Sequence, residues 1–121
     1  LWLLTAYIVG KLAPLKGEKS GENGHKLSTD DLIDFIFSKL WKEAGVALND
    51  SVEELKGELR FLKKLGYIDV EDDETIIAKD KLSEIVEDIE NDPMRAEIRL
   101  WDEYIKRINS VLPRKGQHRS D

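Results

Sequence analysis

The chain contains no cysteine. That excludes disulfide staples, thiolate zinc sites and a cysteine nucleophile. Histidine is scarce: His25 and His118 are the two present, and both fall in segments that read as loops. No Ser–His–Asp order and no cluster with metal-ligand spacing accompanies them. The expectation is a non-enzyme with no metal and no cofactor. Long apolar runs are missing too. The most apolar stretch, "LWLLTAYIVG", makes one short helix, whereas a bilayer span needs roughly 20 residues. It also lacks the basic leader and small-residue cleavage site of a signal peptide. These absences point to a cytoplasmic protein without membrane contact.

What is abundant is charge. Charged residues make up 36% of the 121 positions, and the formal net charge is −6. The length fits one domain with a modest core, or a small domain with an added element. An acidic balance argues against a general nucleic-acid coat protein but leaves room for locally basic faces.

Apolar spacing gives the order of elements. Residues 1–13 read as a first helix, with Leu4, Tyr7, Ile8 and Leu12 near helical spacing. Trp2, Leu3 and Val9 make it apolar on more than one side, so it is either central or paired. "PLKGEKSGENGHK" is Gly-rich, lacks an apolar period and reads as a loop, with room for a short strand near its end. Its spacing matches no phosphate-binding loop. A second helix starts at "STDD", where Ser28 and Asp31 fit a capping box, and stops at Gly45. A third starts at Ser51, with Glu54 in capping-box position, and stops at Gly66. "YIDV" and "TIIA" read as strands joined by the turn "EDDE". Leu82, Ile85, Val86 and Ile89 mark another helix. The last helix starts with Asp92 as N-cap and Pro93 at its first position, and runs to Leu112. The end of the chain, with Arg114, Lys115, His118 and Arg119, reads as a frayed polar tail.

Three helices followed directly by a hairpin is the order of a winged helix. The segment "LRFLKKLGYIDV" resembles the end of the recognition helix and the entry to the wing in the winged helix-turn-helix superfamily. The resemblance covers about residues 1–80. It implies a mainly α (α+β) fold: a winged-helix domain with a two-stranded hairpin over 1–80, a C-terminal helical extension over 81–112, and a polar tail over 113–121. The extension resembles that of small regulators that dimerise through such helices.

Helix three carries the candidate site. Lys56, Arg60, Lys63 and Lys64 fall within roughly a quarter turn of its surface. Lys56–Arg60, Arg60–Lys63 and Arg60–Lys64 are like-charge pairs at helical-neighbour spacing, which slightly destabilise a helix. Glu53–Lys56 is the one opposite-charge pair there. A face kept basic at that cost fits a negatively charged partner; a plain solvated face is the alternative. In the winged-helix resemblance these four residues enter the major groove of double-stranded DNA.

The hairpin departs from that pattern. Residues 67–92 hold eleven acidic side chains against Lys79 and Lys81. A wing of this sign is repelled by phosphates. The run "DVEDDE" lacks the spacing and glycine of a calcium loop. In the last helix, Met94, Ile98, Trp101, Ile105, Ile108 and Leu112 recur in steps of four and three, the period of a helix–helix seam. Leu100, Tyr104 and Val111 widen it. The expected cover is a second copy, giving a homodimer; packing on helix one of the same chain is the alternative. Two functions follow as expectations. One is a dimeric DNA-binding transcriptional regulator. The other is a protein-binding winged helix, an adaptor whose acidic hairpin docks on a basic partner.

Overall fold

The computed structural model describes residues 2–16, 25–91 and 99–113, with backbone alone for Lys16 and 99–101. The fold is mainly helical with a small three-stranded antiparallel sheet.

Helix α1 (Trp2–Lys16) is the hub of the core. Leu4, Tyr7, Ile8, Val9 and Leu12 are fully buried, so of the two alternatives it is central. It continues past its expected end and takes in Pro14. A proline in the last turn removes one backbone hydrogen bond, far less disruption than in mid-helix.

Strand β1 (His25–Ser28) follows, at the end of the expected loop. Ser28 is both the last strand residue and the helix N-cap, its Oγ accepting from the Asp30 amide at 3.1 Å. The cap bond thus falls one residue before the expected Asp31. Helix α2 (Thr29–Asp34), a π-helical turn (Phe35–Lys39) and α3 (Leu40–Ala44) continue without a break in helical backbone. The rod ends where Gly45 turns left-handed, with φ +70°. Its amide donates to the Trp41 carbonyl, the 5→1 bond of an αL stop, and the Val46 amide donates to the Leu40 carbonyl.

Helix α4 (Val52–Lys64) is capped by Ser51, whose Oγ accepts from the Glu54 amide at 3.1 Å. Glu54 returns a bond to the amide of Asp50 at 2.7 Å, one residue earlier than in the usual box. Gly66 (φ +88°) turns the chain into β2 (Ile68–Glu71). Asp72 and Asp73 then adopt φ of 52° and 58°. The Glu74 amide closes the turn on the Glu71 carbonyl at 2.9 Å. Positive φ at both central positions is what a tight type I′ hairpin needs, and Asp is among the few residues that tolerate it. Strand β3 (Thr75–Ala78) completes the hairpin.

The hairpin is not alone, as the sequence had suggested. The strand order is β1-β3-β2, with Ile76 facing Leu27 on one side and Val70 on the other. Both edges of β3 are therefore paired, which a marginal two-stranded ribbon would lack.

Helix α5 (Leu82–Asn91) lies on α1. The approach is close: a Cβ on Gly10 would sit 2.5 Å from Val86 Cγ2. Val86 is β-branched and stiff in a helix. Gly10→Val is expected to lower stability by about 1–3 kcal/mol through overpacking, seen as a lower denaturation midpoint. Adding Val86→Ala should recover part of the loss.

Helix α6 (Arg99–Val111) packs on α3. Ile105 and Ile108 are 2% and 0% exposed within the single chain. At these two positions the expected dimer seam is an intrachain seam, because α3 and the core already cover them. Leu112 is half-buried against the same core. Met94, Ile98 and the Asp92–Pro93 helix start lie outside the described residues, as does the Trp101 side chain. The cover comes chiefly from α3 rather than from α1. Polar bonds hold it: Arg107 donates to the Ala44 carbonyl at 3.1 Å. Tyr7, fully buried, donates to Glu90 and accepts from Asn109, both at 2.8 Å, tying α1 to α5 and α6. Leu82, Ile85, Ile89, Ile105 and Ile108 join the same hydrophobic cluster as α1 to α4. The segment expected as an extension thus shares the core of the preceding part.

Candidate nucleic-acid interface

Helix α4 is held from behind. Leu55, Leu59 and Leu62 are buried, which fixes its rotation. Lys56, Arg60, Lys63 and Lys64 are therefore exposed on the opposite side. A second anchor was not visible in the sequence. Glu58, on the flank of α4, accepts hydrogen bonds from Thr5 Oγ1 and from Asn49 Nδ2, the latter at 3.1 Å. Thr5 and Asn49 are 0% and 7% exposed. This polar knot joins α1, the loop before α4 and α4 itself. The Oδ1 of Asn49 is buried with no partner among the described residues.

In front of α4 lies an open groove of about 450 Å³, between the helix and the hairpin. Lys56, Arg60 and Lys63 form one wall, and Leu59 and Val70 reach the floor. Thr29, at the start of α2, borders it. The structure thus gathers three of the four expected cations into one site and leaves Lys64 outside its lining. Two acids share the groove: Glu53 from the first turn of α4 and Asp73 from the hairpin turn. A third, Asp69 on β2, lies 3.9 Å from Lys63 Nζ. On the same face of the sheet Lys26 of β1 reaches across β3 to within 3.6 Å of Glu71. Both pairs are about half exposed, where an ion pair contributes little, roughly 0–1 kcal/mol. Lys81 is directed elsewhere, donating to the Leu65 carbonyl at 3.3 Å and lying over the Tyr67 ring at 4.8 Å.

The site is therefore a basic helix face beside an acidic hairpin. What it offers chemically is charged side chains of both signs. Among the described residues no group of His, Cys, Asp or Glu is placed to hold a metal ion. His25 opens strand β1 opposite Ala78 rather than sitting in a loop, and His118 lies outside the described residues. Among the described residues no helix is long and apolar enough to cross a membrane. Large apolar side chains also reach the surface, with Trp41 the most exposed at 55% and Phe61 next at 42%. Phe61 meets Trp2 edge to face, with centroids 5.2 Å apart. No protein-family model, no curated protein and no solved structure matches this chain.

Proposed function

We propose that the chain is a winged-helix protein that binds double-stranded DNA through α4 and acts as a transcriptional regulator. The observation that carries this reading is the position of the basic face. It lies on the helix that runs directly into the hairpin, and its cations line an open groove rather than the core. The element order supports the fold part of the reading: a strand precedes α2, and it pairs with the second strand of the hairpin. In such a fold the exposed side of this helix enters the major groove. There Arg60 can reach a guanine edge in a bidentate pair, and the lysines can reach phosphates. A homodimer held by Ile105 and Ile108 is not part of the proposal, since both are already buried in the chain.

Affinity for a labelled duplex against salt tests it. Neutralising three or four phosphates gives a log–log slope of about −2.7 to −3.6, a loss of roughly 40- to 150-fold between about 50 and 200 mM salt. Arg60→Gln with Lys64→Gln should flatten the slope by about two. Absence of binding to any duplex at the lower salt overturns the proposal.

A second reading has its own observation. Glu53 and Asp73 stand in the same groove as the cations, and mixed charge suits a protein surface better than a phosphate chain. In that version the hairpin docks on a basic partner and α4 is a solvated flank. Failure of the duplex experiment leaves this version standing.

A further inference from the structure

We infer that the hairpin is a fixed electrostatic competitor for α4, an autoinhibitory contact that holds down sequence-independent binding of polyanions. The inference deepens the α4 reading and rests on it in so far as the polyanion is DNA.

Asp69 faces Lys63 at 3.9 Å, and Asp73 and Glu53 line the groove with Lys56, Arg60 and Lys63. Two carboxylates thus share the open site with three cations, and a third stands beside Lys63. The free protein already places negative charge of its own next to these cations. An arriving phosphate must outcompete that charge, and it is repelled by it as well.

Rigidity makes the effect lasting. A loose acidic loop would swing away from an approaching duplex. This hairpin is tied to the rest of the fold at two points: β3 is paired with β1, and the Thr29 amide donates to the Glu74 carbonyl at 2.8 Å. The turn is thereby fastened to the start of α2. Asp69 is fixed further, its Oδ1 accepting from the Val70 amide at 2.9 Å. The hairpin backbone that carries Asp69 and Asp73 cannot swing away without breaking these bonds.

Non-specific binding is almost wholly a matter of phosphate neutralisation. A constant repulsion removes most of that affinity. A partner that also makes direct contacts to Arg60 or the lysines has other interactions to draw on. The lower occupancy of random sequence is the functional result.

Two asparagines test the idea with the backbone preserved. Asn keeps the acceptor that bonds the Val70 amide, and it tolerates the positive φ of position 73. The probes are a duplex of arbitrary sequence and heparin, each titrated at low and high salt. Asp69→Asn with Asp73→Asn is expected to tighten both by about three- to tenfold at low salt, with the gain fading at high salt. The control is Glu84→Gln with Glu87→Gln on α5, outside the groove. It changes net charge equally and should do markedly less. Equal gains from both pairs, or no gain from the hairpin pair on either probe, overturn the inference. A gain on heparin with no duplex bound by any variant keeps the competitor and overturns the DNA reading. Duplex binding that the hairpin pair leaves unchanged does the reverse.

Discussion

Replacing Ile108 by alanine is expected to lower the unfolding free energy by about 2–5 kcal/mol, and by the same amount at every protein concentration. The size follows from burial. Ile108 is completely covered within the chain, and its neighbour one helical turn back, Ile105, is nearly so. Truncation leaves a cavity among α6, α3 and the core, and the surroundings can collapse only partly. Arg107 is hydrogen-bonded to the Ala44 carbonyl and Asn109 to the Tyr7 hydroxyl. These bonds keep α6 from sliding into the gap. The concentration arm carries as much weight as the magnitude. In an obligate dimer the denaturation midpoint rises with protomer concentration. In an intrachain seam it does not. Urea melts at two widely separated concentrations decide it. A midpoint that climbs with concentration would mean that α6 meets a second copy after all.

The second large effect is expected at Glu58. Glu58→Ala should lower stability by about 2–4 kcal/mol, because two donors lose their acceptor inside the protein. Thr5 and Asn49 are both buried, and Asn49 already carries an unpartnered Oδ1. Glu58→Gln keeps an acceptor oxygen at the site and should lose clearly less. The contrast identifies hydrogen bonding rather than side-chain bulk. Equal losses from both variants would show that the negative charge itself matters. The amide-to-carboxylate bond also joins the loop before α4 to the helix, so Glu58→Ala should disturb the pose of the basic face. Duplex affinity of the surviving folded protein is the accompanying measurement.

Much of the fold was legible because its signals are local. Ser28 and Ser51 open helices, and Gly45 and Gly66 end them, each by bonds that span only a few residues. The "EDDE" turn was legible for the same reason. Strand β1 was not. "HKLS" offers a single strongly apolar residue, Leu27. The strand is stabilised by pairing with β3, whose residues lie some fifty positions later. The π-helical turn leaves no mark in an apolar period either.

The seam of α6 shows what periodicity can and cannot tell. Steps of four and three say that a stripe needs cover, but not which surface supplies it. Helix α3 supplies it here, and nothing in its spacing points to α6. The candidate site divides in the same way. Its cations were legible from one helix. The contacts that set their surroundings, Asp69 of β2 beside Lys63 and Thr5 of α1 on Glu58, are tertiary. The Thr5–Glu58 bond spans 53 positions, and no short-range pattern encodes it.

The hydrogen bond from Thr29 to Glu74 has a mechanical meaning as well. Strand β1 ends at Ser28 and α2 begins at Thr29, with no linker between them. The hairpin turn is tied to that same junction. Sheet and rod therefore have no hinge where most folds of this size have a loop. A push on the hairpin tip is passed to α2 and, through the continuous helical backbone, toward α3 and the α6 seam. A load on the hairpin tip is thus borne by the first turn of α2 rather than by a linker.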